Sequence, residues 1–268
     1  MSSEIAPAVP SATIMLLRDS DAGGVDVFML QRHSGADFAS AFVFPGGLAA
    51  PDDFEYGLEP FCCGLNDAGA SAQLGLPEGG LGLWVAAIRE CFEESGYLLA
   101  RDFSGAICQP GRADHERRFA DYRRALAANE LTLKAVCESE SLTLSCDAIE
   151  YVSFWTTPEA MPRRYATRFF VADVPKGQIG IEDGRETVAC EWVGVREVLG
   201  DDARMRSMKL HPPTKAQLMW LADFDDADAA MRAAREIDKS SITEVLPVVS
   251  GSRENPAVRL PNGKEVTF

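Results

Sequence analysis

Apolar and polar positions fall into two periods along this chain. "ATIMLLRD" at 12–19 and "VDVFMLQRH" at 25–33 are nearly unbroken apolar runs of β type, separated by "SDAGG", and predict a hairpin. "AFVFPGG" at 41–47 predicts a short strand that Pro45, Gly46 and Gly47 must end. Further β-like runs stand at "IEYVSFWTT", "TRFFVADV" and "VACEWVGV". Helical spacing governs 83–95 and then 113–140, which predicts a helical pair or lid. Pro212 and Pro213 open another helix with Thr214 as its cap, and "DADAAMRAAREI" extends the helical region. Near the end, "AVRLPNGKEVTF" sets an Asn-Gly turn between β-like arms. Residues 1–10 are rich in Ala, Pro and Ser and predict a flexible N-terminus. Residues 51–82 carry "DAGASAQLGLPEGGLG", too rich in Gly and Ala for a regular element, and predict an inserted loop. Strands before and after helices favour a mixed sheet with helices on its faces, the α/β (α+β) class.

Composition narrows the choice. A chain of 268 residues is one large domain or one domain with a substantial insertion. Its 26 basic and 41 acidic side chains leave a net charge of −15, a surface that repels nucleic acid and anionic membranes. A small phosphorylated ligand stays compatible with that charge where local basic groups or cations offset it. Cysteines 62, 63, 91, 108, 137, 146 and 190 form no zinc-like pair of pairs, and their odd number argues for reduced thiols in a cytoplasm. "MSSEIAPAVPSA" lacks a basic n-region, "IMLL" is too short for a membrane span, and the final Val-Thr-Phe is no peroxisomal tripeptide. The expectation is a cytoplasmic protein, with a homodimer open to it.

The chemistry concentrates in "AAIRECFEESGYLL" at 86–99. At about 100° per residue, Trp84, Ile88, Cys91, Phe92 and Ser95 share one side of a helix, and Glu90, Glu93 and Glu94 share the other. Gly96 suits the left-handed position past the helix end. A solvated acidic face is one explanation, since exposed like charges cost only about 0.2–0.5 kcal/mol. In a cleft, two carboxylates about 6 Å apart at an effective dielectric near 20 repel by roughly 3 kcal/mol. Such a group demands protons or cations, and all-oxygen ligation suits Mg²⁺ or Mn²⁺. The Pro45-Gly46-Gly47 turn upstream can bring bare backbone close to a ligand.

Gly47, Asp53 and the run Arg89-Glu90-Cys91-Phe92-Glu93-Glu94-Ser95-Gly96-Tyr97 together resemble the Nudix hydrolase family, whose box reads G-x5-E-x7-R-E-U-x-E-E-x-G-U with U a bulky apolar residue. Asp53 stands where the family has Glu, and 35 residues instead of seven separate it from Arg89. An insert of that kind is similar to the branch containing a peroxisomal coenzyme A diphosphatase with a split box. "LQRHSGADF", "RRYATRFFVA" and "LHPPTKAQL" are also similar to that branch. The resemblance implies a Nudix-type α/β/α sandwich over 11–268, with insertions at about 54–82 and 103–145.

It further implies Glu90 and Glu94 as metal ligands with Glu93 as the third, Mg²⁺ or Mn²⁺ as the ion, and Arg89 pairing with a nearby acid to hold the helix against the loop. Glu93 and Arg89 join the catalytic set. Gly46, Gly47, Arg32 and Phe44 are the expected substrate contacts, and Asp53 supports the site in place of Glu. Glu186 is the candidate general base, with Glu182 and Asp183 competing. Arg163, Arg164, Arg168 and His33 are surface groups or answer phosphate charge. "HERRFADYRR" is a solvated helix face or a lid contacting substrate. "PEGGLG" has no Lys-Ser/Thr and no preceding strand, and is expected to be a flexible connector instead of a phosphate loop. The implied activity is hydrolysis of a diphosphate in coenzyme A or an acyl-CoA. ADP-ribose or another nucleoside diphosphate derivative is the alternative substrate. A nucleotide-binding or sensory domain that does not cleave its ligand is the alternative function.

Overall fold

In this computed structural model the described residues are 5–33, 40–113, 115–251, 256–259 and 265–267. Strands are β1 (Ala8–Asp19), β2 (Val25–Arg32), β3 (Phe42–Val43), β4 (Gly46–Leu48), β5 (Ala100–Arg101), β6 (Thr143–Leu144), β7 (Glu150–Thr156), β8 (Arg164–Asp173), β9 (Thr187–Gly194), β10 (Glu244–Val245), β11 (Val248–Gly251), β12 (Pro256–Arg259) and β13 (Glu265–Thr267). Helices are α1 (Asp67–Leu74), α2 (Leu81–Ser95), α3 (Glu116–Ala127), α4 (Leu133–Glu140), α5 (Val195–Gly200), α6 (Asp202–Ser207), α7 (Pro212–Leu221) and α8 (Ala227–Glu236).

Central strands bury both faces, which is why their sequences read as apolar runs and not as alternations. Ile14 and Leu16 of β1, Phe28 and Leu30 of β2, and Phe170 of β8 point into one core with α2. Met15 and Leu17, Val27 and Met29, and Phe169 and Val171 point the other way, against α5, α7 and α8. The sheet runs β10-β7-β8-β1-β2-β3, with β4 on β1 and β9 on β2. β1 pairs with β8 in parallel and with β2 antiparallel, so the sheet is mixed and lies between two helical layers, an α+β architecture.

Several expectations need correction. β1 begins at Ala8, inside the segment expected to be flexible, because Ala8, Val9 and Pro10 lie in register with Arg164, Tyr165 and Ala166 of β8. The strand β3 stops at Val43, ahead of Pro45, as expected, but Gly46 and Gly47 then form a further strand, β4, paired with Thr13 and Ala12 of β1. The Gly/Ala-rich insert contains a true helix, α1, capped by Asn66, whose side chain accepts from Gly69 N. Asp67 then accepts from Gly79 N at 2.9 Å and Leu81 N at 3.0 Å, and Ser71 Oγ from Gly80 N at 2.9 Å. "PEGGLG" is thus tied down, and its amides are spent on the insert. Thr214 sits inside α7 and His211 takes the cap position. The Asn262-Gly263 turn and most of the serine-glycine stretch after His33 lie outside the described residues; the arms β12 and β13 do pair antiparallel.

Candidate active site

The face of α2 expected to be acidic is not solvated. β4, the turn at 51–54, α1 and α3 all pack on this helix, leaving the side chains of Glu90, Glu93 and Glu94 only 14%, 12% and 6% exposed. Gly96 closes the helix in the left-handed conformation at φ +75°.

The glycine turn meets this face directly. Gly46 N donates to Glu94 Oε2 at 2.8 Å. A Cβ on Gly47 would lie 2.5 Å from the Glu90 carboxyl carbon, and one on Gly46 would lie 2.6 Å from Ala12 O and Thr13 Cα. The Gly46 contact is with backbone, so only glycine allows β4 to lie this close to β1, whereas a side chain on Gly47 would displace the Glu90 carboxylate.

Arg89 ties the split sequence together. Its Nε and Nη2 donate to the two oxygens of Asp53 at 2.8 Å each, and Nη2 also donates to Leu48 O at 2.8 Å. Its Nη1 donates to Glu90 at 2.8 Å and Glu93 at 3.0 Å. Asp53 is buried and also accepts from Ala50 N at 2.7 Å, which fixes the turn at 51–54. Burial opposes the charge on Arg89, and Asp53 with its neighbouring acids more than restores it, holding the guanidinium firmly protonated.

The carboxylates stay short of positive charge. Burial pushes Glu90 up to about 7, against the pull of Arg89. Burial also raises Glu93, and it raises Glu94 well above the ordinary range, with Glu90 adding repulsion. Arg32 supplies the nearest cation to Glu94 at 3.8 Å and approaches Glu186 at 3.6 Å. Its Nε is buried with no hydrogen-bond partner. Among the described residues no three His, Cys, Asp or Glu side chains already converge at metal-binding spacing. The donor set nevertheless fits a hard divalent ion: the oxygens are carboxylates, they are buried, and their shifts mark an unmet demand for cationic charge.

Among the candidate bases, Glu186 is the one facing this cluster, 66% exposed beside Arg32. Asp183 is occupied, accepting from the amides of Arg185, Glu186 and Thr187 and from the Thr187 hydroxyl. Glu182 accepts from the Cys190 thiol at 3.3 Å.

Other expected residues lie elsewhere. Phe44 is 2% exposed and packs with the core on the far face of the sheet, so its ring cannot meet a ligand at α2. Arg164 is buried, donating to Thr157 O and Ala6 O, and Arg168 lies 3.4 Å over the Phe154 ring; both serve the sheet. "HERRFADYRR" divides by side: Arg118 pairs with Glu140 and Arg124 with Asp121, whereas Arg123 turns inward to Glu93 O at 2.7 Å and Ile181 O at 2.6 Å. Sequence reading missed the inward role of Arg123, whose acceptors are backbone carbonyls that leave no charge pattern to find.

Residues 59–221 match the family model described as the NUDT19 Nudix domain. An acyl-coenzyme A diphosphatase NUDT19 of Xenopus laevis is 26% identical over 230 residues, covering 74% of this chain and 60% of that protein. The protein of the same description from Gallus gallus is 27% identical over 257 residues, covering 83% of this chain and 68% of its own length. The chain thus spans about three fifths to two thirds of these curated relatives. Among solved structures, a NUDIX hydrolase from Alicyclobacillus acidocaldarius superposes with a TM-score of 0.67 at 25% identity, over 85% of this chain and 97% of that one.

Proposed function

The chain belongs to the NUDT19 Nudix domain family, and from that premise we propose that it is a divalent-metal-dependent hydrolase of the diphosphate linkage in coenzyme A or an acyl-CoA. The observation that carries this reading is the burial of Glu90, Glu93 and Glu94, with Glu94 and Glu90 held against Gly46 and Gly47 of β4. The names of the frog and chicken relatives support the substrate class.

In this reading Glu90 and Glu94 hold Mg²⁺ or Mn²⁺, with Glu93 as the third ligand. A bound divalent ion supplies neutralisation of the diphosphate oxygens and acidification of a water. The remaining work belongs to the protein. Arg32, whose guanidinium lies between Glu94 and Glu186, binds a phosphate oxygen. Glu186 accepts the proton of the attacking water, being the candidate base whose carboxylate no amide, hydroxyl or thiol has claimed. Arg89 is a positioning residue: its donors are spent on Asp53, Leu48, Glu90 and Glu93, so it fixes the ligands and does not touch substrate. Gly46 and Gly47 keep the backbone thin where the diphosphate lies.

A hydrolysis screen over coenzyme A, acyl-CoAs, ADP-ribose and NADH with Mg²⁺ and Mn²⁺ tests the reading. The expected result is release of the 3′,5′-bisphosphate nucleotide from coenzyme A or an acyl-CoA at the highest kcat/KM of the panel. A preference for ADP-ribose would move the substrate class, and tight binding without turnover would replace the enzyme by a nucleotide-binding domain.

A further inference from the structure

Beside the carboxylate cluster, with Glu93 in its wall, lies a cavity of about 140 Å³ between α3 and the 181–185 segment. That is room for far more than one water. Its polar lining is Glu93, Arg123, Arg124, Asp183 and Arg185. In a chain with net charge −15, a hollow lined by three arginines against two acids is a local inversion of sign.

The balance of charge within it is incomplete. Arg123 is half-buried, held by two backbone carbonyls, and has no carboxylate within ion-pairing distance among the described residues. Asp183 contributes little, because its oxygens are engaged by three amides and a hydroxyl of its own loop. Arg124 is 72% exposed and paired only with Asp121 on the same helix, a contact weak enough to give up. Arg185 has no side-chain partner among the described residues. The same loop carries Glu186 to the carboxylate cluster, so one segment borders both places.

We propose that this cavity is an anion subsite, in which Arg123, Arg124 and Arg185 receive a second phosphate of the substrate, borne on the ribose of its nucleotide half and separate from the diphosphate that is cleaved. Guanidinium forks match a phosphate's oxygens in pairs, and three of them suit a dianion better than a single carboxylate. The inference rests on the diphosphatase reading for its ligand, and it selects coenzyme A over nucleotides that lack the ribose phosphate. Arg123 is the fixed floor of the subsite; Arg124 and Arg185 are its movable walls.

Calorimetry with adenosine 3′,5′-bisphosphate and adenosine 5′-monophosphate, at saturating Mg²⁺, tests it on wild type, Arg123→Lys and the double variant Arg124→Ala/Arg185→Ala. The wild type is expected to bind the bisphosphate about tenfold or more tightly than the monophosphate, a difference of about 1.4 kcal/mol. The double variant, which changes only exposed side chains, and Arg123→Lys, which keeps a cation in place, are each expected to lose most of that preference. Equal binding of both nucleotides by wild type, or an undiminished preference in the double variant, overturns the subsite. Hydrolysis of coenzyme A is scored separately. If it is absent while the arginine-dependent preference remains, the diphosphatase reading falls and the anion subsite stands.

Discussion

Arg89 and Asp53, 36 positions apart, face each other through two parallel hydrogen bonds of 2.8 Å. This pair joins the two halves of the interrupted sequence box, and the insert between them loops away to form α1. Asp has a shorter side chain than Glu, and here it also caps its own turn through Ala50 N.

Breaking that pair leaves a buried carboxylate without its cation. Arg89→Ala is expected to cost about 3–5 kcal/mol of stability, read as a lower urea midpoint. Arg89→Lys is expected to recover only part of it, since an ammonium cannot bridge both oxygens. A loss under about 0.5 kcal/mol for Arg89→Ala, the range of an ordinary surface change, would deny the pair its structural role.

The two glycines of the turn should fail differently. A methyl group on Gly47 meets the flexible end of Glu90, whereas one on Gly46 meets the backbone of β1. Gly47→Ala is therefore expected to lower kcat by about 10²-fold, the scale of a misplaced catalytic group, with little change in thermal midpoint. Gly46→Ala is expected to destabilise the fold itself. Paired melting curves and turnover assays check both.

Protonation of Glu90 gives a pH dependence of known sign. Its folded pKa of about 7 lies above the ordinary carboxylate value of 4.5, so the folded state holds this proton more tightly than the unfolded chain. Metal-free protein loses stability from this group as pH rises from 4.5 through 7. Glu90→Gln should accordingly stabilise metal-free protein more at pH 7.5 than at pH 5 in urea titrations. Binding of Mg²⁺ or Mn²⁺ near pH 7 should release protons, seen as a dependence of the calorimetric heat on the buffer's ionisation enthalpy. No such dependence would mean that Glu90 does not meet the ion.

For the base, Glu186→Gln is expected to lower kcat by about 10²–10⁴-fold with a smaller change in KM. Glu182→Gln, whose carboxylate serves Cys190, is expected to stay within about threefold of wild type. The reverse order would transfer the role to Glu182.

What the sequence made legible followed from strong periodicities. β1, β2 and β8 read clearly because both faces are buried, and α2 because its apolar positions and Gly96 frame it. The run 89–94 placed three carboxylates on one side of α2 without help from the fold. What it concealed was tertiary. β4 and the turn at 51–54 close over the carboxylate side of α2, so an acidic face that looks solvated on a wheel is enclosed. Phe44 is one residue from a strand whose register decides which side of the sheet it faces, and it faces away. The helix α1 carried signals that composition masked, Asn66 at its start and Gly75 at its end. No pattern in the sequence announces that Arg123 binds carbonyls while Arg124 beside it binds an acid.

The most direct test of the central claim, that the carboxylates of α2 form a divalent-metal diphosphatase centre, is turnover of coenzyme A by wild type and Glu94→Gln, with Mg²⁺ or Mn²⁺ and with excess chelator. Metal-dependent release of the 3′,5′-bisphosphate nucleotide is predicted, abolished by chelator and reduced by about 10³-fold or more in the variant, the scale of losing a principal electrostatic contributor. Turnover undiminished in chelator, or unchanged in Glu94→Gln, would contradict it.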